Sequence, residues 1–231
     1  MKKLIILLVI LLTNFTANAQ IITFTSVNFK NKVLAADTTN QIAKDLNGNF
    51  FKVDSNNNSL IEVSEAQQVS YLDISNSTIL YMEGLQYFTN LAHLYCQGNF
   101  SNTTILDVTM MPNLQTLTCN GNNLVTLNVG GLTNLQEIKC GSNNLANFTS
   151  INFTGCTVLN KIMANNCELS GLNVAGLNNL SYLECSQNPY TSLNVSNLPA
   201  LTFLQTAAGQ LISLDVSNCS VRPTCTFKAN E

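Results

Sequence analysis

Eight cysteines give this chain its most versatile chemistry, because a thiol can bind metal, form a disulfide or act as a nucleophile. Four of them share one place in a recurring pattern of leucines: Cys96, Cys119, Cys140 and Cys185. Thiols that follow one another in a line favour a column of small buried side chains over a zinc site, whose four ligands must converge on a tetrahedron. Cys219 and Cys225 lie outside the column. The short loop between them leaves both a disulfide and two free thiols open.

Residues 54–65, with the sequence DSNNNSLIEVSE, form a second stretch that could hold an ion. The stretch resembles half of an EF-hand calcium loop. The residues in ligand places are Asp54, Asn56, Asn58, Leu60 through its carbonyl, and Glu65. Ser59 stands where such a loop normally requires glycine, so the resemblance implies weak calcium binding, in the range of about 0.1 to 1 mM. The alternative is an asparagine-rich turn that leads without any ion into a short helix over 63–67. No other motif requires a cofactor.

An internal repeat positions these residues. In its third unit the pattern L-x-x-L-x-C-x-x-N-x-L is carried by Leu114, Leu117, Cys119, Asn122 and Leu124. Seven units start 21 to 24 residues apart, at Val69, Leu91, Leu114, Leu135, Leu159, Leu180 and Leu201. A period of this length indicates a solenoid. Extra residues around 100–104 and 148–156 are expected to form surface bulges.

The recurring places resemble the leucine-rich repeat family, and the short unit is similar to secreted, internalin-like repeat proteins of Bacteroidetes bacteria. The resemblance covers residues 21–218. It implies an α/β repeat solenoid, mostly β, shaped as a right-handed horseshoe or arc with a parallel concave sheet. We expect a signal peptide (1–19), an N-terminal cap (20–66), the repeats (67–218) and a C-terminal tail (219–231). A short helix over 28–36 is expected to bury Phe29, Val33 and Leu34.

The ninth place of the unit predicts a ladder of buried asparagines, each bonding the backbone of its own and neighbouring turns. Its members are Asn99, Asn122, Asn143 and Asn188. Cys167 interrupts this ladder in the fifth unit. Since an unpaired buried backbone group costs about 1 to 3 kcal/mol, the ladder is expected to matter for stability.

The N-terminus has the pattern of a secretory signal peptide: two lysines, the apolar run Leu4 to Leu12, and Ala17, Asn18 and Ala19, after which we expect cleavage. The run of nine residues is too short to cross a bilayer, which needs roughly 20, and no later stretch is longer. Removing the signal lowers Lys plus Arg from 10 to 8 against 13 Asp plus Glu, which gives a net charge near 8 − 13 = −5. We therefore expect a secreted or cell-surface protein without a transmembrane segment and without nucleic-acid partners.

The residues between the inward leucine and cysteine places are expected to point outward from the concave sheet. Ten of them are candidate ligand-binding residues: Tyr71, His93, Tyr95, Thr116, Glu137, Lys139, Lys161, Tyr182, Glu184 and Phe203. Aromatic and charged residues on a rigid surface suit recognition of a protein or a cell-surface glycan. The alternative is that they are ordinary outward strand residues, where tyrosine, threonine and phenylalanine are favoured in any case.

No catalytic motif accompanies these residues: the sequence lacks H-E-x-x-H, G-x-S-x-G, a phosphate loop and C-x-x-C. His93 is its only histidine, and we expect no catalytic residues and no enzyme. The predicted function is a non-catalytic binding module, with a structural spacer or adhesin segment of the cell envelope as the alternative.

After Cys219 no further repeat follows, so the last strand's edge would be covered only by tail residues such as Phe227. An open edge predicts self-association through that end.

Overall fold

The computed structural model describes residues 19–99, 105–143, 148, 150–207 and 210–219, together with the backbone of 224–225. Several residues of interest lie outside these ranges: the predicted signal peptide before Ala19, the added residues 100–104, Phe227, and Gly209 in the ninth place of the seventh unit. The described chain is a mostly β solenoid with few helices. The predicted repeat fold is therefore confirmed.

Each repeat unit contributes one strand to a nine-stranded sheet, the main sheet. Its strands, in spatial order, are β1 (Ala43–Lys44), β2 (Tyr71–Asp73), β3 (His93–Tyr95), β5 (Thr116–Thr118), β7 (Glu137–Lys139), β9 (Lys161–Met163), β10 (Tyr182–Glu184), β12 (Phe203–Gln205) and β14 (Thr224–Cys225). All neighbours are parallel except β1 and β2. The fourth-place residues, such as Leu117, Ile138 and Leu183, lie in register and are buried. The sixth-place cysteines are buried beside them, so both form one interior, as predicted.

The ninth-place asparagines form the predicted ladder. The amide of Asn122 donates to the carbonyl of Cys96 at 2.9 Å and to that of Cys119 at 3.1 Å, while its oxygen accepts from the backbone N–H of Asn99 at 3.0 Å. Asn143 and Asn188 make the same kind of bonds one turn and three turns further on. The ladder supports the sharp turn that follows a main-sheet strand in the units that carry the asparagine.

Short strands on the other side of the solenoid form a second sheet, which is divided in two. Its first part contains β4 (Ile105–Asp107), β6 (Thr126–Asn128) and β8 (Ser150–Asn152), and its second part contains β11 (Ser192–Asn194) and β13 (Ser213–Asp215). Between them, residues 171–174 of the fifth unit form no strand. Gly171 holds the place taken by serine in β8, β11 and β13, and glycine weakens a strand because it has no side chain to pack and more backbone freedom to lose. A groove of about 600 Å³ lies at this break.

The prediction that residues around 148–156 bulge to the surface is wrong. Phe148, Phe153 and Cys156 are all buried, and β8 lies between the first two of them. The physical reason is that these apolar side chains gain more from entering the core than from forming an exposed loop.

The cap closes the N-terminal end of the core. Helix α1 (Val27–Leu34) begins after Ser26, whose hydroxyl accepts from the N–H of Phe29, and it lies within the predicted range except for its first residue. Phe29 and Val33 are buried, Leu34 is half-buried, and the Phe29 ring stacks on Phe88 at 6.2 Å. Phe88 follows a 3-10 turn over Leu85–Tyr87. Strand β1 covers the edge of β2, which protects that end of the main sheet from pairing with another chain.

At the other end, β14 extends the main sheet by one parallel strand beside β12. The tail thus covers part of the C-terminal edge, as expected, through a strand that the sequence analysis did not place. Self-association through this end stays a prediction. Cys219 is a free thiol whose sulfur bonds the carbonyl of Val195, whereas the side chain of Cys225 lies outside the described part of the chain.

Among the described residues, no helix is long and apolar enough to span a bilayer.

Candidate functional site

The ten predicted ligand-binding residues lie together on the outer face of the main sheet, and each is half-buried. The parallel register places them in two rows, one led by Tyr71 and the other by Tyr95. We call this surface the outer face. The strands that carry it are held from behind by the leucine and cysteine core and by the asparagine ladder, so the side chains project from a rigid backbone.

Aromatic rings gather at the N-terminal end of the outer face. The ring of Tyr71 lies 5.3 Å from that of Tyr95 and 6.4 Å from that of His93. Phe50 meets Tyr71 edge to face at 6.5 Å, and the ammonium of Lys44 lies 4.7 Å from the centre of the Phe50 ring. Phe50 and Lys44 belong to the cap, outside the repeat, so the repeat pattern gave no signal for them. The cap therefore enlarges the candidate binding surface.

The environment of this cluster keeps His93 uncharged. Burial and the nearby Lys44 charge lower the pKa of His93 below its ordinary value. Burial, together with Asp73 and Tyr95, raises the pKa of Tyr71. At neutral pH the cluster thus presents neutral rings beside one cation.

Three charged residues occupy the centre of the outer face. Glu137 pairs with Lys139 at 3.1 Å and with Lys161 at 3.3 Å. Partial burial opposes ionisation of Glu137, but the two ion pairs with Lys139 and Lys161 outweigh it and lower the pKa of this carboxyl. The triad carries one net positive charge, and because the groups are partly exposed each pair contributes little to stability, about 0 to 1 kcal/mol.

A stacked pair of rings lies on the C-terminal side of the triad. The rings of Tyr182 and Phe203 are stacked, with centroids 4.3 Å apart and planes nearly parallel, at 6° to each other. Lys161 lies 5.0 Å from the centre of the Tyr182 ring, on the strand opposite Phe203. Both faces of Tyr182 are therefore occupied. Its hydroxyl donates to Glu184, and this bond, with burial and the carboxylate charge, raises the pKa of Tyr182 to about 12.

A small notch opens beside the triad at Gly141. Gly141 stands in the seventh place of its unit, where Asn120 and Asn165 carry side chains in the adjoining units. The notch has a volume of about 190 Å³ and is lined by these three residues and by Lys139, Ser142 and Met163. A Cβ at Gly141 would come within 2.9 Å of the Asn165 carbonyl, so the close approach of the two turns favours glycine here. In the sequence, the only sign of the notch is that a glycine holds the seventh place of this unit, where both adjoining units have asparagine.

The outward residues of the second sheet behave differently. The second to seventh units each place an aspartate or asparagine there whose Oδ1 accepts the backbone N–H two residues further on: Asp107, Asn128, Asn152, Asn173, Asn194 and Asp215. These side chains cap the turn that follows. Their chemistry is explained by the backbone alone.

The groove at the break in the second sheet does not adjoin the outer-face residues. It is lined by serine, asparagine, glycine and apolar residues, among them Ser150, Leu172 and Ser192. Among the described residues, those that line the groove are not titratable.

The predicted calcium residues adopt a compact loop before helix α2 (Val63–Ala66). The carboxylate of Asp54 accepts from the backbone N–H groups of Asn58 at 3.1 Å and Ser59 at 3.2 Å. Ser59 has a φ of 62°, so it adopts the left-handed conformation for which such loops normally use glycine. Glu65 accepts from the N–H and hydroxyl of Ser55, both at 2.8 Å, and its other oxygen caps α2.

The loop thus satisfies its own carboxylates. The side-chain amides of Asn56 and Asn58 donate to Glu62, which belongs to the same loop. In the described part of the chain, no group of three or more histidine, cysteine, aspartate or glutamate side chains has an arrangement that could hold a metal ion. Calcium binding by Asp54, Asn56, Asn58, Leu60 and Glu65 stays a prediction.

Comparison with known proteins bears on the fold. No protein-family model matches the chain, and no curated protein is significantly similar to it. Among solved structures, internalin C2 of Listeria monocytogenes is 19% identical, with a TM-score of 0.50 over 87% of this chain and 91% of that one. The Listeria internalin inlF is 15% identical, with a TM-score of 0.52 over 84% of this chain and 63% of that one, so our chain spans less than two thirds of it. The chain therefore has the leucine-rich repeat fold of the internalins.

Proposed function

We propose that this protein is a non-catalytic, extracellular binding module that recognises a protein through the outer face of its main sheet. One observation carries the proposal. In the same solenoid, one outward row of the second sheet is uniformly aspartate or asparagine and serves the backbone, and the other row consists mainly of serine and threonine. The residues of the outer face are mostly large and differ from turn to turn. The aspartate and asparagine row of the second sheet shows which residues stand at outward positions when only the backbone constrains them. The outer face departs from that pattern.

The composition of the outer face suits a protein partner. Tyrosines and phenylalanine flank a charged centre, and tyrosine is enriched among the residues that dominate protein interfaces. A sugar ring would need an open aromatic face to lie on, but Phe203 and Lys161 occupy both faces of Tyr182. The notch at Gly141 offers a recess for one side chain of the partner.

The non-catalytic assignment rests on the setting of His93. This residue lies on a sheet surface against Tyr71, with Lys44 as the charge that affects it. A lysine disfavours the protonated imidazole that a general base must form. The extracellular assignment rests on the predicted signal peptide.

A double variant tests the proposal. Tyr95→Ala with Tyr182→Ala removes one ring from each end of the outer face, and Thr126→Ala with Ser192→Ala is a matched control on the second sheet. Each mature protein is immobilised and incubated with neighbouring cells or their matrix, and the retained proteins are quantified by mass spectrometry. We expect the wild type and the control to retain the same partner and the Tyr95/Tyr182 variant to lose it.

Two outcomes would contradict the proposal. Equal retention by all three proteins would favour the structural spacer or adhesin segment. Retention that resists protease treatment of the target but is lost after periodate oxidation would favour a cell-surface glycan. Melting curves of the three proteins show that any loss of binding does not come from unfolding.

A further inference from the structure

The fifth unit carries a cysteine where the ladder requires asparagine. In the regular units, a ninth-place side chain reaches the sixth-place residue of the preceding turn. Thus the amide of Asn122 donates to the Cys96 carbonyl at 2.9 Å and lies 3.9 Å from its sulfur. Cys167 holds this ninth place one turn after Cys140, so the repeat geometry places two thiols side by side.

The contacts of Cys167 follow this geometry. Its sulfur bonds the carbonyl of Cys140 at 3.2 Å, as an asparagine amide would. The two thiols are close enough that each shifts the pKa of the other. The sulfur of Cys140 also lies 3.8 Å from the carbonyl of Met163 in the next turn. Both side chains are fully buried.

The surroundings of Cys167 give this thiol a different pKa from the other buried thiols. Donation from Cys140 and from backbone N–H groups lowers the pKa of Cys167, against the effect of burial. Burial raises the pKa of Cys96 to about 12, and burial also raises that of Cys119. Within the folded turns, Cys167 therefore ionises more readily than Cys96, Cys119 or Cys140.

The thiol pair lies where the solenoid is least connected. The fourth and fifth units are joined in the main sheet by β7 and β9, but their second-sheet segments do not pair, because residues 171–174 form no strand. The asparagine rung between these two units is also missing. A covalent bond here would replace both lost links.

We propose that Cys140 and Cys167 form a disulfide between the fourth and fifth turns when the chain folds in an oxidising compartment. The oxidant is a small-molecule disulfide or a dithiol–disulfide oxidoreductase. The Cys167 thiolate attacks one sulfur of the oxidant, which releases a thiolate and gives a mixed disulfide; the Cys140 thiolate then attacks Cys167 and releases the second. Two cysteine thiols are oxidised, one oxidant disulfide is reduced, and the two protons go to the released thiolates. Because both sulfurs are buried, the bond forms before the turns close.

The inference is independent of any ligand and is tested on the mature protein. The protein is refolded in a glutathione redox buffer, denatured with an excess of N-ethylmaleimide, and digested without reduction. We expect one cross-linked peptide pair that contains Cys140 and Cys167, and an intact protein that carries two fewer N-ethylmaleimide additions than the reduced, fully labelled protein. Cys119→Ala is the matched control in the cysteine column and should keep the cross-link.

Cys167→Asn restores the rung that the other units have and removes one sulfur. It should fold, lose the cross-link and unfold at the same temperature with and without reductant, whereas reductant should lower the unfolding temperature of the wild type. Complete labelling of Cys140 and Cys167 after oxidative refolding would overturn the inference. So would a disulfide within the cysteine column in place of this pair, or a wild-type unfolding temperature that does not respond to reductant.

Discussion

The main sheet and the second sheet are built from the same turns, yet they differ in continuity and in the side chains that they expose. The main sheet runs unbroken over nine strands, whereas the second is divided at the fifth unit. The outer face carries tyrosine, histidine, lysine, glutamate and phenylalanine, and the second sheet repeats aspartate or asparagine in unit after unit. The recurring aspartate and asparagine residues of the second sheet are explained by the backbone N–H groups that they accept from. The outer-face residues, which change from turn to turn, are available for a ligand.

The continuity of the main sheet comes from the core behind it. Fourth-place leucine or isoleucine is kept in every unit, so each strand buries an aliphatic side chain in register with the next. The second sheet depends on the residues after the ladder, and these vary. In the fifth unit both Cys167 and Gly171 depart from the usual pattern, and the strand is lost there. Because the inward Leu172 and Val174 are still aliphatic, the break comes from the backbone preference of the outward Gly171.

The largest effect on stability is expected from the ladder that supports the main sheet. Asn122→Ala removes two bonds to buried carbonyls and one from a buried N–H, and should lower the free energy of unfolding by about 3 kcal/mol. Asn120→Ala is the matched control two residues away, where the amide oxygen has no bonding partner. Denaturant unfolding of both variants measures the difference. Equal midpoints would refute the role of the ladder.

The next effect concerns the cap, which adds β1 to the edge of the main sheet. If residues 54–65 bind calcium, a concentration ten times the dissociation constant should stabilise the protein by about 1.4 kcal/mol. Thermal unfolding in calcium against EDTA measures this shift. Asp54→Asn keeps the acceptor oxygen but removes the charge, and should lose the shift. A wild type that melts at the same temperature in both buffers would contradict the predicted site.

The smallest effect should repair the second sheet. Gly171→Ser introduces the residue found in β8, β11 and β13, and its Cβ meets no atom within 4 Å. We expect the free energy of unfolding to rise by about 0.5 kcal/mol and amide exchange over 171–174 to slow. Gly176→Ala is the contrasting variant, because Gly176 has a φ of +80° and alanine there should destabilise the protein. Unchanged exchange in Gly171→Ser would mean that glycine is not the cause of the break.

The sequence predicted the parts of the molecule that recur. Leu117, Ile138 and the asparagine ladder could be placed because their spacing is kept, and the two outward rows followed from strand alternation. Contacts between non-repeating elements could not be predicted in this way. Phe50 reaches Tyr71 only because the cap folds back as β1, and no spacing rule links residues of the cap to residues of the repeat.

The burial of residues around 148–156 was missed for a related reason. Added length in a repeat is normally accommodated on the surface, but Phe148 and Phe153 supply apolar side chains that the core can take up. The break in the second sheet was missed because Leu172 keeps the aliphatic pattern. Local backbone preference at Gly171, not the pattern of apolar residues, differs there.

The central claim, that recognition belongs to the outer face, is tested most directly by one matched pair of substitutions. Thr116 and Thr126 belong to the same unit, but Thr116 lies on the outer face and Thr126 lies on the second sheet. Affinity for the captured partner is measured for Thr116→Arg and Thr126→Arg, with melting curves as the check on folding. We predict that Thr116→Arg weakens binding by at least about tenfold and Thr126→Arg leaves it unchanged, since a large charge disrupts only the surface that is covered. Equal affinity of the two variants, or a loss confined to Thr126→Arg, would contradict the account.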